Sequence, residues 1–417
     1  MHTLRPQTEE ELAAQVVDAA ARGRRLRLRG QGTKAGLGAP ATADAPLDTT
    51  ALGGVEEYEP EELTFTALAG TPLSDVVAML EERRQMLAFE PPDFSAVLAV
   101  FGARPADASG SGTLGGMVAV GMAGPRQILR WSVRDHVLGF AAVNGRGELF
   151  KAGGRVVKNV TGYDLPKLIC GSFGTLAVLT RLTLRVLPMP ERTITLVMDE
   201  SDPRRAVTAM TAALATPAEV SGACWLPPGM AGEAGRVHLR LEGYEKSLPG
   251  RAEELRRVLR DHGPWRLVEG AAVEALWRKT RDVAWLAEGA QGRWLWRVVL
   301  APARGGALVR EVMARHPDAE LFLDRAGGLL WLSLPLPEPG VAAKTAARLR
   351  ALFAKHGGQA MLFAAPQDYR AAVPVFPPLP ATLAALSERV RAQFDPAGIL
   401  NPGIMDNLNA DEMARET

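Results

Sequence analysis

The segment Gly30-Gln31-Gly32-Thr33-Lys34-Ala35 constrains the fold more than any other stretch of this 417-residue chain. It follows an alternation of charged and apolar residues over 25–29 that predicts a strand. A G-x-G-x-x-A turn after a strand is the dinucleotide fingerprint of a doubly wound fold, and Asp48 stands about where such a fold places its ribose-binding acid. That fold also requires the turn to open a helix, whose N-terminus receives the pyrophosphate. Here Gly36-Leu37-Gly38-Ala39-Pro40 comes next, which cannot propagate a helix, and the predicted helix precedes the strand. A second match, Gly110-Ser111-Gly112-Thr113-Leu114-Gly115, follows a Pro/Ala/Asp-rich loop rather than a strand. Both glycine turns therefore belong to another frame.

Around them the pattern predicts a helix from Thr8-Glu9-Glu10-Glu11, with Leu12, Val16, Val17 and Ala20 on one face. A strand over 63–69 and a helix over 71–83 follow, then an irregular stretch over 91–112. Strands over 137–143 and 148–152 flank the turn Asn144-Gly145, and an apolar, β-branched strand over 176–187 ends at Pro188-Met189-Pro190, the best domain boundary in the chain. Beyond it, strands over 193–197, 237–241, 294–300, 321–323 and 330–334 alternate with helices over 203–214, 251–259, 307–315 and 341–355. This predicts an α+β sheet covered by helices on one face. A last helix spans 381–392, and 394–403 reads as loop; no internal repeat is visible.

Glycine turns of this kind suit a diphosphate. Consecutive backbone N–H groups that reach φ > 0 without a Cβ clash cradle two negative charges, each charge-assisted bond contributing about 1.5–3 kcal/mol. Thr33 adds a hydroxyl. The competing reading is a set of tight turns between strands. A third segment, Gly171-Ser172-Phe173-Gly174-Thr175-Leu176, runs straight into an apolar strand and lets bare backbone approach a planar ring.

Composition excludes several classes. A formal net charge of +1 gives no global reason to expect nucleic acid or anionic membrane. No stretch approaches the ~20 apolar residues of a membrane span, and the polar residues 1–11 lack a signal-peptide core. Cys170 and Cys224, each in an apolar stretch, read as buried reduced thiols of a cytoplasmic protein. Asn159-Val160-Thr161 is a glycosylation sequon without a secretory context.

Taken together, Arg29 to Lys34, Gly112-Thr113-Leu114-Gly115-Gly116-Met117-Val118-Ala119, Ala123-Gly124-Pro125-Arg126, Val133-Arg134-Asp135-His136-Val137-Leu138-Gly139, the run from Gly153 to Leu165, residues 171–180, and Phe394 to Gly403 resemble the vanillyl-alcohol-oxidase/PCMH flavoproteins. The resemblance is closest to the FAD-binding subunits of the glycolate oxidase group. It implies an α+β chain: a PCMH-type FAD-binding domain of two α/β subdomains over 1–190, an α+β cap domain with an antiparallel sheet over 191–375, and a C-terminal helix and tail, 376–417, returning to the FAD domain. By the same resemblance Gly30, Gln31, Gly32, Thr33 and Lys34 hold the pyrophosphate. Gly112, Thr113, Gly115, Gly116, Ala123 and Gly124 line the ribityl chain and ring. Gly174, Thr175 and Val178 pack on the cofactor, and Asn401 closes over it. Covalent attachment in such proteins uses a His or Cys near the ring; residues 109–126 contain neither, so non-covalent FAD is expected.

Oxidation of a 2-hydroxy acid needs a base, a cation for the carboxylate and a hydride acceptor. The six histidines, His2, His136, His238, His262, His316 and His356, are too dispersed to hold a metal, so no metal site is expected and the catalytic residues stay unassigned. His136 reads as support for the FAD domain, and His356 as a surface histidine at a helix C-terminus. Gln359 stands where relatives of this subunit tend to carry His. Tyr163 and Lys158 read as cofactor support. Arg297, beside Trp296 on a strand, is the substrate candidate, against the alternative of an outward or salt-bridged arginine. The resemblance implies a complex with a GlcD-like flavin subunit, which performs the hydride step, and a GlcF-like iron–sulfur subunit that takes the electrons. The small 2-hydroxy acid is then glycolate, and any membrane contact is through partners. Two alternatives stay open: a self-sufficient FAD oxidoreductase of another hydroxylated substrate, and a structural subunit with a vacant flavin pocket.

Overall fold

The computed structural model describes residues 3–40, 42–104, 108–130, 132–154 and 162–405. Lys158 and the sequon at Asn159 lie outside them. Thr8 caps the first helix, Glu9–Ala21, by accepting from the Glu11 amide at 3.1 Å. The buried face of that helix is Leu12, Val16 and Ala19; Val17, expected inside, is half exposed because the i, i+4, i+7 stripe bypasses it. It packs on the parallel pair β1 (Leu26–Arg29) and β2 (Ala45–Asp48), flanked by Leu4 beside β2 and Leu400 beside β1.

The second subdomain contains β3 (Val55–Glu59), β4 (Thr64–Leu68), β5 (Gln85–Met86), β6 (Val137–Asn144), β7 (Leu149–Gly153), β8 (Ala177–Arg185) and β9 (Leu187–Pro188). Five of these form an antiparallel sheet in the order β3-β4-β8-β6-β7, and β5 pairs with β9. Two details differ from expectation. The stretch read as irregular contains the helix Ser95–Val100, which sinks Val97 and Leu98 into the apolar contact with the cap; tertiary burial outweighs the breakers around it. The second glycine turn does open a helix, Leu114–Val120, capped by Thr113 and closed by Gly121 in the left-handed conformation at φ 67°. It spans only about two turns.

The cap sheet comprises β10 (Arg192–Asp199), β11 (Val220–Leu226), β12 (Arg236–Gly243), β13 (Arg266–Glu269), β14 (Arg293–Val299), β15 (Glu320–Asp324), β16 (Leu329–Pro335) and β17 (Gln359–Ala364). Its order is β13-β10-β12-β11-β15-β16-β14-β17, antiparallel throughout. Written as strands and helices, 192–269 and 293–364 each read βαββαβ with mirrored strand order, so the cap is a structural duplication joined edge to edge at Trp225 and Leu323. The sequence shows no repeat because the halves share hydrophobic pattern rather than residues. The helices Pro203–Leu214 and Pro302–Arg315 meet through Gly306, where a Cβ would fall 2.5 Å from the Pro203 carbonyl oxygen.

Every second cap residue, including Leu196, Leu239, Trp225, Trp296, Leu323 and Leu332, faces these helices and those at Leu248–Val258 and Ala342–Lys355. The opposite face was expected to be bare of helices. Instead the helix Ala271–Arg281 lies over its first half, with the Trp277 indole donating to Thr195 Oγ1 at 2.9 Å. The FAD-side segments Phe94, Phe101 and Phe173 lie against Phe322, Trp331 and Phe363 on its second half.

Candidate cofactor cleft and the seam beneath the cap

A cleft opens between β1, the helix Leu114–Val120, the start of β8 and the C-terminal tail. Of the residues singled out in the sequence, Gly30, Gln31, Gly32, Thr33, Lys34, Thr113, Gly115, Gly116, Gly174, Val178 and Asn401 line it. Gly112, Thr175, Ala123 and Gly124 are not on its wall. Thr175 turns its hydroxyl to the Ser172 carbonyl at 2.7 Å, and Gly112 donates its amide to Gln31 Oε1 at 2.8 Å. Residues the sequence reading missed complete the wall, among them Arg27, Thr49, Ala69, Ala119 and Ile404.

The chemistry of the wall follows from what its backbone lacks. Among the described residues, none of the five successive amides of residues 30–34 donates to a protein acceptor, although Gly32 and Thr33 are buried. Buried N–H groups are nearly always paired, so the open donors of Gly32 and Thr33, with their partly exposed neighbours, suit an anion. Lys34 stands over the same turn: its ammonium is so close to Gly112 that a Cβ there would approach it to 2.8 Å. Burial pushes the Lys34 ammonium down, with Asp93 partly offsetting this. The glycines also set the width of the cradle. A Cβ on Gly30 would sit 2.3 Å from Thr113 Oγ1, and one on Gly174 would strike Asn401 Nδ2 at 2.8 Å. Asn401 itself sits at φ 46°, accepts from the Leu28 amide at 2.7 Å and donates to the Phe173 carbonyl at 2.7 Å, tying the tail across both walls. A diphosphate on the open amides, and a planar group against Gly174, Ala177 and Val178, fit this donor set.

Beneath the cap runs a seam of buried charge. The strand β12 alternates Arg, Val, His, Leu, Arg, Leu, Glu and Gly, which reads as half-solvated, yet its polar side faces the other domain. Arg240 forms a bidentate pair with Glu90 at 2.9 and 3.0 Å and stacks on Trp277. Arg126 reaches Glu242 at 2.8 Å and lies 3.7 Å from Glu90. Burial by itself would raise the Glu242 carboxyl, but Arg240 and Arg126 outweigh it and hold the group well below the usual carboxylate range. Glu90 is lowered in the same way, against its burial, by Arg240 and Arg126. Two cations and two anions thus join the cap to the loops Phe89–Glu90 and Gly124–Arg126.

The second half of the same face is unlike the first. Arg297, the substrate candidate, projects from β14 on the side of Leu295, Trp331 and Met361, opposite the helix-covered core. Among the described residues it makes no hydrogen bond and no ion pair. Burial, and then the neighbouring Arg325, lower it to about 9, with Asp324 opposing them, so it stays charged at neutral pH. Arg325 donates from Nη2 to the Ala123 carbonyl at 2.7 Å, while its buried Nε has no partner. Asp324 is 2% exposed, accepts from the Arg325 amide at 2.7 Å, and is pushed up to about 6 by burial. The sequence reading missed Asp324 and Arg325, which look like an ordinary surface turn before Gly327-Gly328.

His136 and His356 are held by structural contacts, whereas Tyr163 and Gln359 are exposed. His136 is fully buried, its ring nitrogens 2.8 Å from the Arg130 carbonyl and 3.3 Å from that of Arg185. His356 pairs with Glu311 at 2.7 Å at the end of the helix Ala342–Lys355. Tyr163 is 93% exposed, and Gln359 begins β17 in an exposed position. Among the described residues no three His, Cys, Asp or Glu side chains gather to hold a metal, and no helix is long and apolar enough to cross a membrane.

A glycine cradle between two small α/β subdomains, closed by the tail and roofed by an antiparallel cap, defines a PCMH-type flavoprotein with FAD as its cofactor. Residues 2–153 match the family model described as an FAD binding domain. The chain is 32% identical over 381 residues to glycolate oxidase subunit GlcE of Escherichia coli K12, covering 91% of this chain and 92% of that one. It belongs to that family of FAD-dependent oxidoreductase subunits. Glycolate oxidase subunit GlcD of Bacillus subtilis is 28% identical over 255 residues, 60% of this chain and 49% of its own. A D-lactate dehydrogenase of Anaerostipes hadrus is 30% identical over 152 residues, 36% of this chain and 29% of its own. Alkyldihydroxyacetonephosphate synthase shares the fold, with a TM-score of 0.68 at 14% identity over 95% of this chain and 76% of its own.

Proposed function

We propose that this chain is the FAD-binding subunit of a glycolate oxidase-type complex, oxidising glycolate to glyoxylate together with a GlcD-like flavin subunit and a GlcF-like iron–sulfur subunit. The observation that carries the reading is the run of open amides at residues 30–34 under Lys34, in a chain that matches GlcE along almost its whole length. In this reading those amides and Lys34 take the diphosphate, and Thr113, Gly115 and Gly116 flank the middle of the cofactor. Gly174 and Val178 give it a flat floor, and Asn401 holds the two walls together. When bound, FAD supplies the hydride and electron acceptor. In this reading attachment is non-covalent: among the described residues, no His or Cys lines the cleft. A chain with only Cys170 and Cys224 has no cysteine set for an iron–sulfur cluster, so that redox centre belongs to a partner. The assembly is cytoplasmic, with membrane contact only through partners.

Gentle purification of the tagged chain from its host tests this. The expected result is a yellow preparation whose FAD is released by denaturant, which brings down a second flavin chain and an iron–sulfur chain and oxidises glycolate only with them. A colourless preparation, or high glycolate turnover by the isolated chain, would overturn it.

A further inference from the structure

The helix Ala381–Phe394 buries none of its residues, whereas the other long helices of the fold each sink a face into a core. It hangs between two aromatic anchors. Ahead of it, the Phe376 ring lies 5.2 Å from Phe173. At its end, the Phe394 ring lies 5.8 Å from Phe150 on β7, and Val390 settles on the same FAD-side core. Between the anchors, residues 378–389 are exposed one after another.

An isolated helix of about four turns is marginal in water, so one without a buried face relies on surface ion pairs or on a partner. Ion pairs cannot serve over most of this segment, because residues 371–387 include no charged side chain. The helix Leu248–Val258 shows the contrast: it turns Glu253, Glu254, Arg256 and Arg257 to solvent while burying Leu255. Depletion of charge on exposed surface is the compositional mark of an interface core.

What the segment offers instead is an apolar stripe. Leu379, Leu383, Leu386 and Val390 follow at steps of four, three and four residues, the seven-residue pattern of a helix–helix seam. The three leucines expose about half their surface, and at Val390 the stripe passes onto the FAD domain. The seam is thus continuous with a contact already made and overhangs it by about two turns. Its flank adds a charge. Glu388 and Arg391 pair at 3.3 Å, while Arg389 makes no ion pair among the described residues. In an antiparallel pairing of two copies, with Leu383 opposite Leu386, Arg389 would meet Pro380 and Thr382 rather than a carboxylate.

We infer that this stripe docks an amphipathic helix of another subunit, which lays its own apolar seam along Leu383 and Leu386 and sets a carboxylate opposite Arg389. The identity of that subunit rests on the proposed oxidase complex; the docking surface is read from uncovered apolar side chains. A membrane suits the stripe less well, since residues 371–387 bring no cation to anionic headgroups.

Co-expression of the tagged full-length chain with the flavin and iron–sulfur subunits of its host tests the inference. The Leu383→Glu/Leu386→Glu variant is expected to bind at least one of those subunits ~30-fold or more weakly, with its bound-FAD spectrum and thermal midpoint unchanged. Arg389→Glu weakens the same contact ~3-fold or more at low ionic strength and less at high. Leu214→Glu, on an exposed position of a cap helix, changes nothing. A benzophenone cross-linker carried at position 383 is expected to label the partner subunit. Retention of both subunits by the double variant, a cross-link confined to the chain itself, or a lowered thermal midpoint in the double variant would each overturn the docking surface. So would a dimer of the chain alone, or binding to phosphatidylglycerol vesicles, that the double variant abolishes. If the wild-type chain retains neither subunit, the oxidase-complex reading fails and the occupant with it; retention by the double variant sinks the surface alone.

Discussion

The two halves of the cap share one topology and present the same face to the FAD domain, but they treat buried charge in opposite ways. In the first half Arg240 and Glu242 interlock with Glu90 and Arg126, and each group has its partner at hydrogen-bond distance. In the second half Arg297 and Arg325 share the neighbourhood of a single carboxyl group that is itself partly protonated near neutral pH. A duplicated scaffold thus carries a paired charge network in one half and, among the described residues, guanidinium groups without an ion pair in the other. What separates the two is whether the opposing domain supplies a carboxylate: Glu90 does so for the first half, whereas Arg325 in the second half meets the neutral Ala123 backbone carbonyl.

The strongest test of this contrast is a pair of matched truncations. Arg240→Met leaves Glu90 and Glu242 short of positive charge and is expected to cost about 3–5 kcal/mol by denaturant midpoint, while Arg297→Met costs less than about 0.5 kcal/mol. Equal losses would erase the distinction between the paired and the unpaired half. Next in size is Gly30→Ala, whose Cβ meets Thr113 Oγ1. Overpacking of about 1–3 kcal/mol is expected to lower FAD retention ~10-fold or more, and adding Thr113→Ala should recover part of it. Gel filtration followed by the visible spectrum reads the outcome. The smallest effect is a difference in pH slope. Glu90 and Glu242 are held below 4.5, so their contribution is complete above that pH and is lost as pH falls beneath it. Asp324, with Arg325, Arg240 and Glu90 around it, is raised from 3.8 to about 6. Its contribution is complete below 3.8 and is lost as pH rises through about 6. Asp324→Asn should therefore be up to ~3 kcal/mol more stable relative to wild type at pH 7 than at pH 4. Parallel stability profiles for the two proteins would contradict the raised carboxyl.

Much of the FAD-side architecture could be read from residues because glycine turns and caps act locally. Gly30 to Lys34 and the Thr8 cap on the FAD side, like the helix Pro203–Leu214 in the cap, all follow from near neighbours in the chain. What escaped depends on distant partners. β11 is buried along its whole length, so it shows no alternation to recognise. The helix Ser95–Val100 forms because the cap covers it. Arg240-Leu241-Glu242 carries the pattern of a solvated strand, and only the fold reveals that Glu90, 150 residues away, lies opposite. In the cleft, Ala123 and Gly124 were expected on the wall but serve the seam, where the Ala123 carbonyl meets Arg325 and Gly124 abuts Glu90. Short polar contacts across a domain boundary leave no periodic trace.

The tie made by Asn401 has a consequence in time. Its contact with Leu28 spans 373 residues, and the entire cap is synthesised between them. Contacts of such separation form late, after local units have collapsed. While the chain is being made, the open amides of residues 30–34 face water with their second wall still unfastened, and the cap can fold first on its own core. The cleft is therefore completed only at the end of biosynthesis, when the tail returns to β1.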